Sequence, residues 1–160
     1  MKTLTGNLLD ATHGIIVHGC NAQGKMASGV AKDVRARYPQ AYEAYMKEYD
    51  TNGLQLGKIV WVRVSDDPLL GIANAITQKF YGRDPNRVYV NYDAVKTAFD
   101  EIGKIARKHN LPVHYPKIGA GLGNGDWSII EPIIEKALEG VEHQLWLPPG
   151  VSPSWSRPQP

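Results

Sequence analysis

Cysteine is nearly absent: Cys20 is the one example among 160 residues. A lone thiol cannot close an internal disulfide or build a cysteine-based metal cluster, so the sequence fits a reducing, cytoplasmic compartment. Long hydrophobic stretches are missing too. No apolar run approaches the roughly 20 residues that would span a bilayer, and Met1-Lys2-Thr3-Leu4-Thr5 has no secretory core. Nor is there an excess of one charge: 18 basic and 16 acidic residues, well interspersed, leave a net charge of +2. No basic block announces duplex nucleic acid or an anionic membrane, so there is no strong nucleic-acid signal. What is present is ordinary globular composition, 42% hydrophobic and 21% charged, in a length that suits one domain and an expected monomer.

Proline is unevenly spent. Five of eleven prolines (Pro148, Pro149, Pro153, Pro158 and Pro160) fall in the last thirteen residues, beside Ser152, Ser154 and Ser156. Such a stretch cannot supply ladder N–H groups and has little to bury, Trp155 apart, so residues 148–160 are expected to be an unstructured tail. The folded unit is then residues 1–147.

Within that unit, short apolar segments alternate with longer amphipathic ones. Strands are expected at Ile15-Ile16-Val17, Lys58 to Val64, Leu69 to Ile76, Val113 to Tyr115 and Gln144 to Leu147, with Thr3 to Thr5 as an edge. Helical stripes run through Val30, Ala31, Val34 and Tyr38, then Tyr42, Tyr45, Met46 and Tyr49, then Ala94 to Ala106. A last stripe, Ile129 to Leu138, is closed by Gly140. Strands interleaved with such helices imply a sheet covered on both faces, a three-layer α/β/α sandwich.

Two glycine-rich turns follow strands and precede helices: Gly19 to Val30 and Ile118 to Trp127. Loops at strand carboxyl ends meet in one crevice, where helix N-termini offer unpaired N–H groups to anions. Familiar motifs fail in detail. Gly19 to Lys25 has the body of a P-loop, but Met26 stands where a Ser or Thr must hold Mg²⁺. In the second turn Asn124 occupies the third-glycine position of a dinucleotide fingerprint. Cys20 has no arginine at the spacing of a phosphatase cradle and reads as a small buried residue.

The same residues in order resemble the macrodomain family. The resemblance rests on Thr5-Gly6-Asn7-Leu8-Leu9, on Ile16-Val17-His18-Gly19-Cys20-Asn21 leading to Ser28-Gly29-Val30-Ala31, and on Pro116-Lys117-Ile118-Gly119-Ala120-Gly121-Leu122-Gly123. It is nearest to the small macrodomains that process ADP-ribose 1″-phosphate, through Arg37-Tyr38-Pro39 and Leu56-Gly57-Lys58 as well. The resemblance implies a central mixed sheet, ADP-ribose or a derivative as ligand, no cofactor and no metal. It implies hydrolysis of a substituent at C1″, with ADP-ribose 1″-phosphate as the first substrate. The alternatives are a glycohydrolase or deacylase that removes ADP-ribose from modified acceptors, and a non-catalytic ADP-ribose reader.

Residue by residue, the resemblance puts the diphosphate between Ser28, Gly29, Val30 and Ala31 on one side and Ile118, Gly119, Ala120, Gly121, Leu122 and Gly123 on the other. Asn7 and Leu8 stand where many relatives have an aspartate for adenine; an Asn oxygen can accept the same bond, or simply form a turn. Asn21 matches the asparagine at the distal ribose, unless it caps its turn. His18 is expected near the mouth of the site, to move protons or to sit as a core histidine. Asp126 is either a helix cap or, if Ser128 and Glu131 form the capping box, a carboxylate free to face the cleft. Lys79 lies where a related branch has a catalytic lysine, and is otherwise a surface residue.

Overall fold

The computed structural model describes residues 1–150. The expected tail from Val151 on, with Trp155, lies outside the described residues. Among the described residues, six strands and four α-helices follow one another as β1 (Lys2–Thr5), β2 (Gly14–Asn21), α1 (Gly29–Arg37), α2 (Pro39–Asn52), β3 (Ile59–Asp66), β4 (Leu69–Gln78), α3 (Tyr92–His109), β5 (Val113–Tyr115), α4 (Trp127–Ala137) and β6 (His143–Leu147). They form one sheet in the order β1-β6-β5-β2-β4-β3. Every neighbouring pair is parallel except β3 with β4, so the sheet is mixed.

Burial explains the order. The central strands β2 and β4 are buried along almost their whole length, as parallel strands covered on both faces must be. At the edge, β3 alternates and exposes Trp61 and Arg63. On β2, Ile15 and Val17 join Phe99, Ile102, Ile130 and Ile134 of α3 and α4. On the opposite face, Ile16 packs with Val34 and Ala41, and Cys20 with Tyr45, of α1 and α2. Two helices on each face give the three layers.

One expected boundary is corrected. The Ser128–Glu131 capping box does not form. Asp126 is the N-cap of α4, its carboxylate accepting the Ser128 amide at 2.9 Å and the Ser128 hydroxyl at 2.6 Å. Starting the helix at Trp127 aligns Trp127, Ile130, Ile134 and Ala137 on the buried face and leaves Ile129 in solvent. Core burial decides the register, and the cap follows.

The parallel strands all end on one side of the sheet. From β2 the chain moves outward to β3 and β4, and later returns to build β5 and β6 on the other flank. The loops after β2 and β5 therefore part at a topological switch point, where a crevice is expected.

The candidate functional crevice

A cleft of about 450 Å³ opens at that switch point. Its floor is the end of β2 (Gly19, Cys20 and Asn21), one wall is Ser28 and Ala31 of the α1 start, and Leu122 comes from the second glycine loop. The remaining wall is a strap, residues 79–91, between β4 and α3, which contributes Tyr81, Gly82 and Arg83. A smaller pocket of about 280 Å³ lies on the other side of the first turn of α1, bounded by Asn7, Leu8, Val30, Asp33, Pro116 and Trp146.

The two glycine loops meet at Gly29 and Leu122. Gly29 has φ +59°, and a Cβ there would stand 3.3 Å from the Leu122 side chain. Gly119, with φ +78°, lets the second loop press on Val90 of the strap, where a Cβ would approach to 2.6 Å. The Ser28 hydroxyl makes no capping bond. The first N–H groups of α1 are thus left to an external acceptor. Among the described residues, the amides of Gly121, Leu122 and Gly123 also take no protein acceptor. Ile118 and Ala120, expected beside a diphosphate, are buried in the core and shape the loop from behind.

Asn21 lines the cleft, and its side chain bonds chiefly within its own loop. Its Oδ1 accepts from the Gln23 amide at 3.0 Å and lies 3.0 Å from the Tyr45 hydroxyl, and its Nδ2 donates to the Lys25 carbonyl at 2.8 Å. It fastens the 21–25 turn and presents only an edge to the cavity. Asn7 similarly caps the short turn Leu8–Asp10, accepting the Leu9 amide at 2.9 Å.

Three expected catalytic side chains lie elsewhere. His18 is not at the mouth of the site: it is fully buried, with Nε2 2.5 Å from the Asn74 oxygen, and Asn74 donates on to the Ala41 carbonyl. Alternation along β2 turns it, like Ile16, toward α2. Desolvation lowers its pKa to about 4 against the Asn74 bond, leaving a neutral imidazole. Asp126 is exposed at its cap, where the hydroxyl and amide of Ser128 hold its carboxyl below the ordinary range. Lys79 is exposed beyond the cleft, its ammonium 5.4 Å from the Phe80 ring. The Cys20 thiol is buried, and desolvation raises its pKa, so it stays protonated as a packing residue.

The residues not anticipated from sequence are Lys25, Gln78, Tyr81, Gly82 and Arg83 in the cleft, and Asp33 and Trp146 in the smaller pocket. A signal existed for the first group. A long connection at a strand carboxyl end, rich in arginine and tyrosine, is where binding residues tend to sit.

Comparison with known proteins agrees with this architecture. A family model for the macro domain matches residues 17–134. The chain is 30% identical over 149 residues to a DNA ADP-ribosyl glycohydrolase of Thermus aquaticus, covering 92% of this chain and 40% of that protein. It thus spans about two fifths of the length of that relative. It is 25% identical over 146 residues to an ADP-ribose 1″-phosphate phosphatase of Debaryomyces hansenii, covering 76% of this chain and 82% of that one. Among solved structures, the macrodomain of Thermus aquaticus DarG superposes with a TM-score of 0.75 at 27% identity, over 92% of this chain and 97% of that chain.

Proposed function

The chain belongs to the macro domain family, and from that premise we propose that the crevice binds ADP-ribose and hydrolyses a substituent at C1″, with ADP-ribose 1″-phosphate as the substrate. The observation that carries the reading is the pair of pockets on either side of the first turn of α1, where Gly29 and Leu122 bring the two glycine loops together. The smaller pocket offers adenine the Trp146 wall, with Asn7 and Asp33 as acceptors for its amino group. The free amides of the α1 start and of Gly121 to Gly123 suit a diphosphate. The larger cleft, with Asn21 at its floor, receives the distal ribose.

In the reaction, water and ADP-ribose 1″-phosphate give ADP-ribose and inorganic phosphate. Among the described residues, no histidine or carboxylate side chain lines the larger cleft, which instead presents amides, Lys25 and Arg83. Its contribution is therefore to fix the ribose and to stabilise charge on the departing phosphate. Asn21 holds the floor in shape. The single buried Cys20 suits a reducing compartment, and we place the protein in the cytoplasm, with residues 1–147 as its folded unit.

Glycohydrolase activity on an ADP-ribosylated acceptor is the second reading, favoured by identity to the Thermus aquaticus enzyme. The position of Lys79 outside the cleft weighs against it. Incubation with ADP-ribose 1″-phosphate, with ADP-ribosylated protein and with ADP-ribosylated DNA, following phosphate and ADP-ribose release, separates the readings. Phosphate release from the first substrate is expected. Turnover of none, with tight ADP-ribose binding, would identify a reader.

A further inference from the structure

Among the described residues, the charged residues that line the larger cleft are Arg83 and Lys25, and no Asp or Glu lines it. Among the described residues neither cation has a carboxylate within 4 Å. The nearest acid in sequence, Asp84, turns into its own loop and accepts the Asn86 amide at 3.0 Å. Arg83 is also held in place. The strap that carries it is tied to the first glycine loop by the Tyr81 amide on the Gln23 side chain at 2.9 Å. It is tied to the second by the Tyr89 amide on the Gly123 carbonyl at 2.8 Å. Asn124, buried and in the left-handed region at φ +56°, donates its amide to the carbonyls of Asp84 at 3.0 Å and Arg87 at 2.8 Å, anchoring the strap immediately after Arg83. From that frame the guanidinium reaches over the cleft to within 3.5 Å of the Ser28 hydroxyl.

Ribose hydroxyls are neutral and call for amides, and the diphosphate already has backbone N–H groups on both loops. Two uncompensated cations around the space shared with Asn21 exceed both needs. We infer that Arg83, assisted by Lys25, reads the substituent on the distal ribose and makes the cleft selective for a phosphate monoester over an uncharged substituent. The guanidinium fork matches two phosphate oxygens at once, and Lys25 adds a point charge from the opposite loop. Asn124 is a positioning residue for this clamp. The inference rests on the reading of the crevice as an ADP-ribose site.

The experiment measures calorimetric affinity for ADP-ribose and kcat/KM for phosphate release from ADP-ribose 1″-phosphate, in the wild type, Arg83→Gln, Arg83→Lys and Lys25→Gln. Arg83→Gln should keep ADP-ribose affinity within about threefold while losing about 30-fold in kcat/KM, and Arg83→Lys should recover part of it. The wild-type KM should improve as pH rises through the second phosphate pKa near 6 (roughly), and Arg83→Gln should flatten that dependence, which a merely structural loss would not do. Equal losses for both ligands would show that Arg83 reads the diphosphate and would overturn the inference. Unchanged kcat/KM would overturn it as well. A wild type that fails to bind ADP-ribose would overturn the reading of the crevice, a separate result. If ADP-ribose binds but no phosphate is released, competition decides: a tighter 1″-phosphate whose advantage vanishes in Arg83→Gln supports the clamp, and no advantage refutes it.

Discussion

The phenol of Tyr45 holds the loop that carries Asn21 from beneath: its oxygen lies 2.7 Å from the Asn21 carbonyl and accepts the Lys25 amide at 3.1 Å. Tyr45 is fully buried on α2, so the distal end of the crevice is pinned by a helix on the far side of β2. Removing that hydroxyl leaves buried polar groups without partners. Tyr45→Phe is expected to cost about 1–3 kcal/mol in urea unfolding and to lower kcat/KM about tenfold through a looser 21–25 turn. Full activity in Tyr45→Phe would mean that the turn holds itself.

Asn21→Ala should fold, since the backbone of β2 is untouched, but it loses four side-chain bonds that shape the floor of the cleft. Turnover is expected to fall on the order of a hundredfold, because C1″ is no longer held against the attacking water. Comparing kcat with ADP-ribose affinity in the variant checks this; an unchanged kcat would reduce Asn21 to a turn residue.

Asp126→Ala should behave in the opposite sense. With its carboxylate capping α4, the loss appears as a melting temperature lower by a few degrees, while phosphate release is unchanged. A large fall in kcat with an unshifted melting curve would return Asp126 to the reaction.

Gly121 separates binding from folding. A Cβ there meets no atom within 4 Å, so Gly121→Val is expected to keep its stability and to lose ADP-ribose binding by blocking approach to the loop amides. In the wild type, ADP-ribose at about 100 times its Kd should stabilise by about 2.7 kcal/mol, and ATP with Mg²⁺ by far less. Thermal shift on both proteins with both ligands tests the pair of expectations.

Acid should destabilise the fold through His18. Its folded pKa of about 4 lies below the ordinary 6.5, so the unfolded chain binds the proton first as pH falls. Stability is complete above pH 6.5 and is lost between 6.5 and 4, by up to about 3 kcal/mol. Burial lowers the pKa of His114 and His143 in the same direction. Urea midpoints from pH 7 to 4.5 should decline, and His18→Gln should decline less; parallel profiles would assign the effect to other groups.

Much of the molecule was legible in its residues. Apolar runs at Ile15 to Val17 and Leu69 to Ile76, and the stripe from Ala94 to Ala106, set strands and helices because local periodicity and burial agree there. The glycine loops announced themselves, since the left-handed backbone of Gly29 and Gly119 favours glycine. Tertiary structure alone decided which polar side chains the crevice receives. His18 stands three residues from Asn21, yet the alternation of β2 sends it into the core. Asp126 follows the second loop, yet the burial of Trp127 makes it a cap. Arg83, far from either loop in sequence, reaches the cleft because Gln23, Gly123 and Asn124 hold its strap there. Sequence periodicity specifies which face of an element is apolar. Where a side chain on a loop ends up depends on long-range bonds to other loops, and no local pattern encodes those.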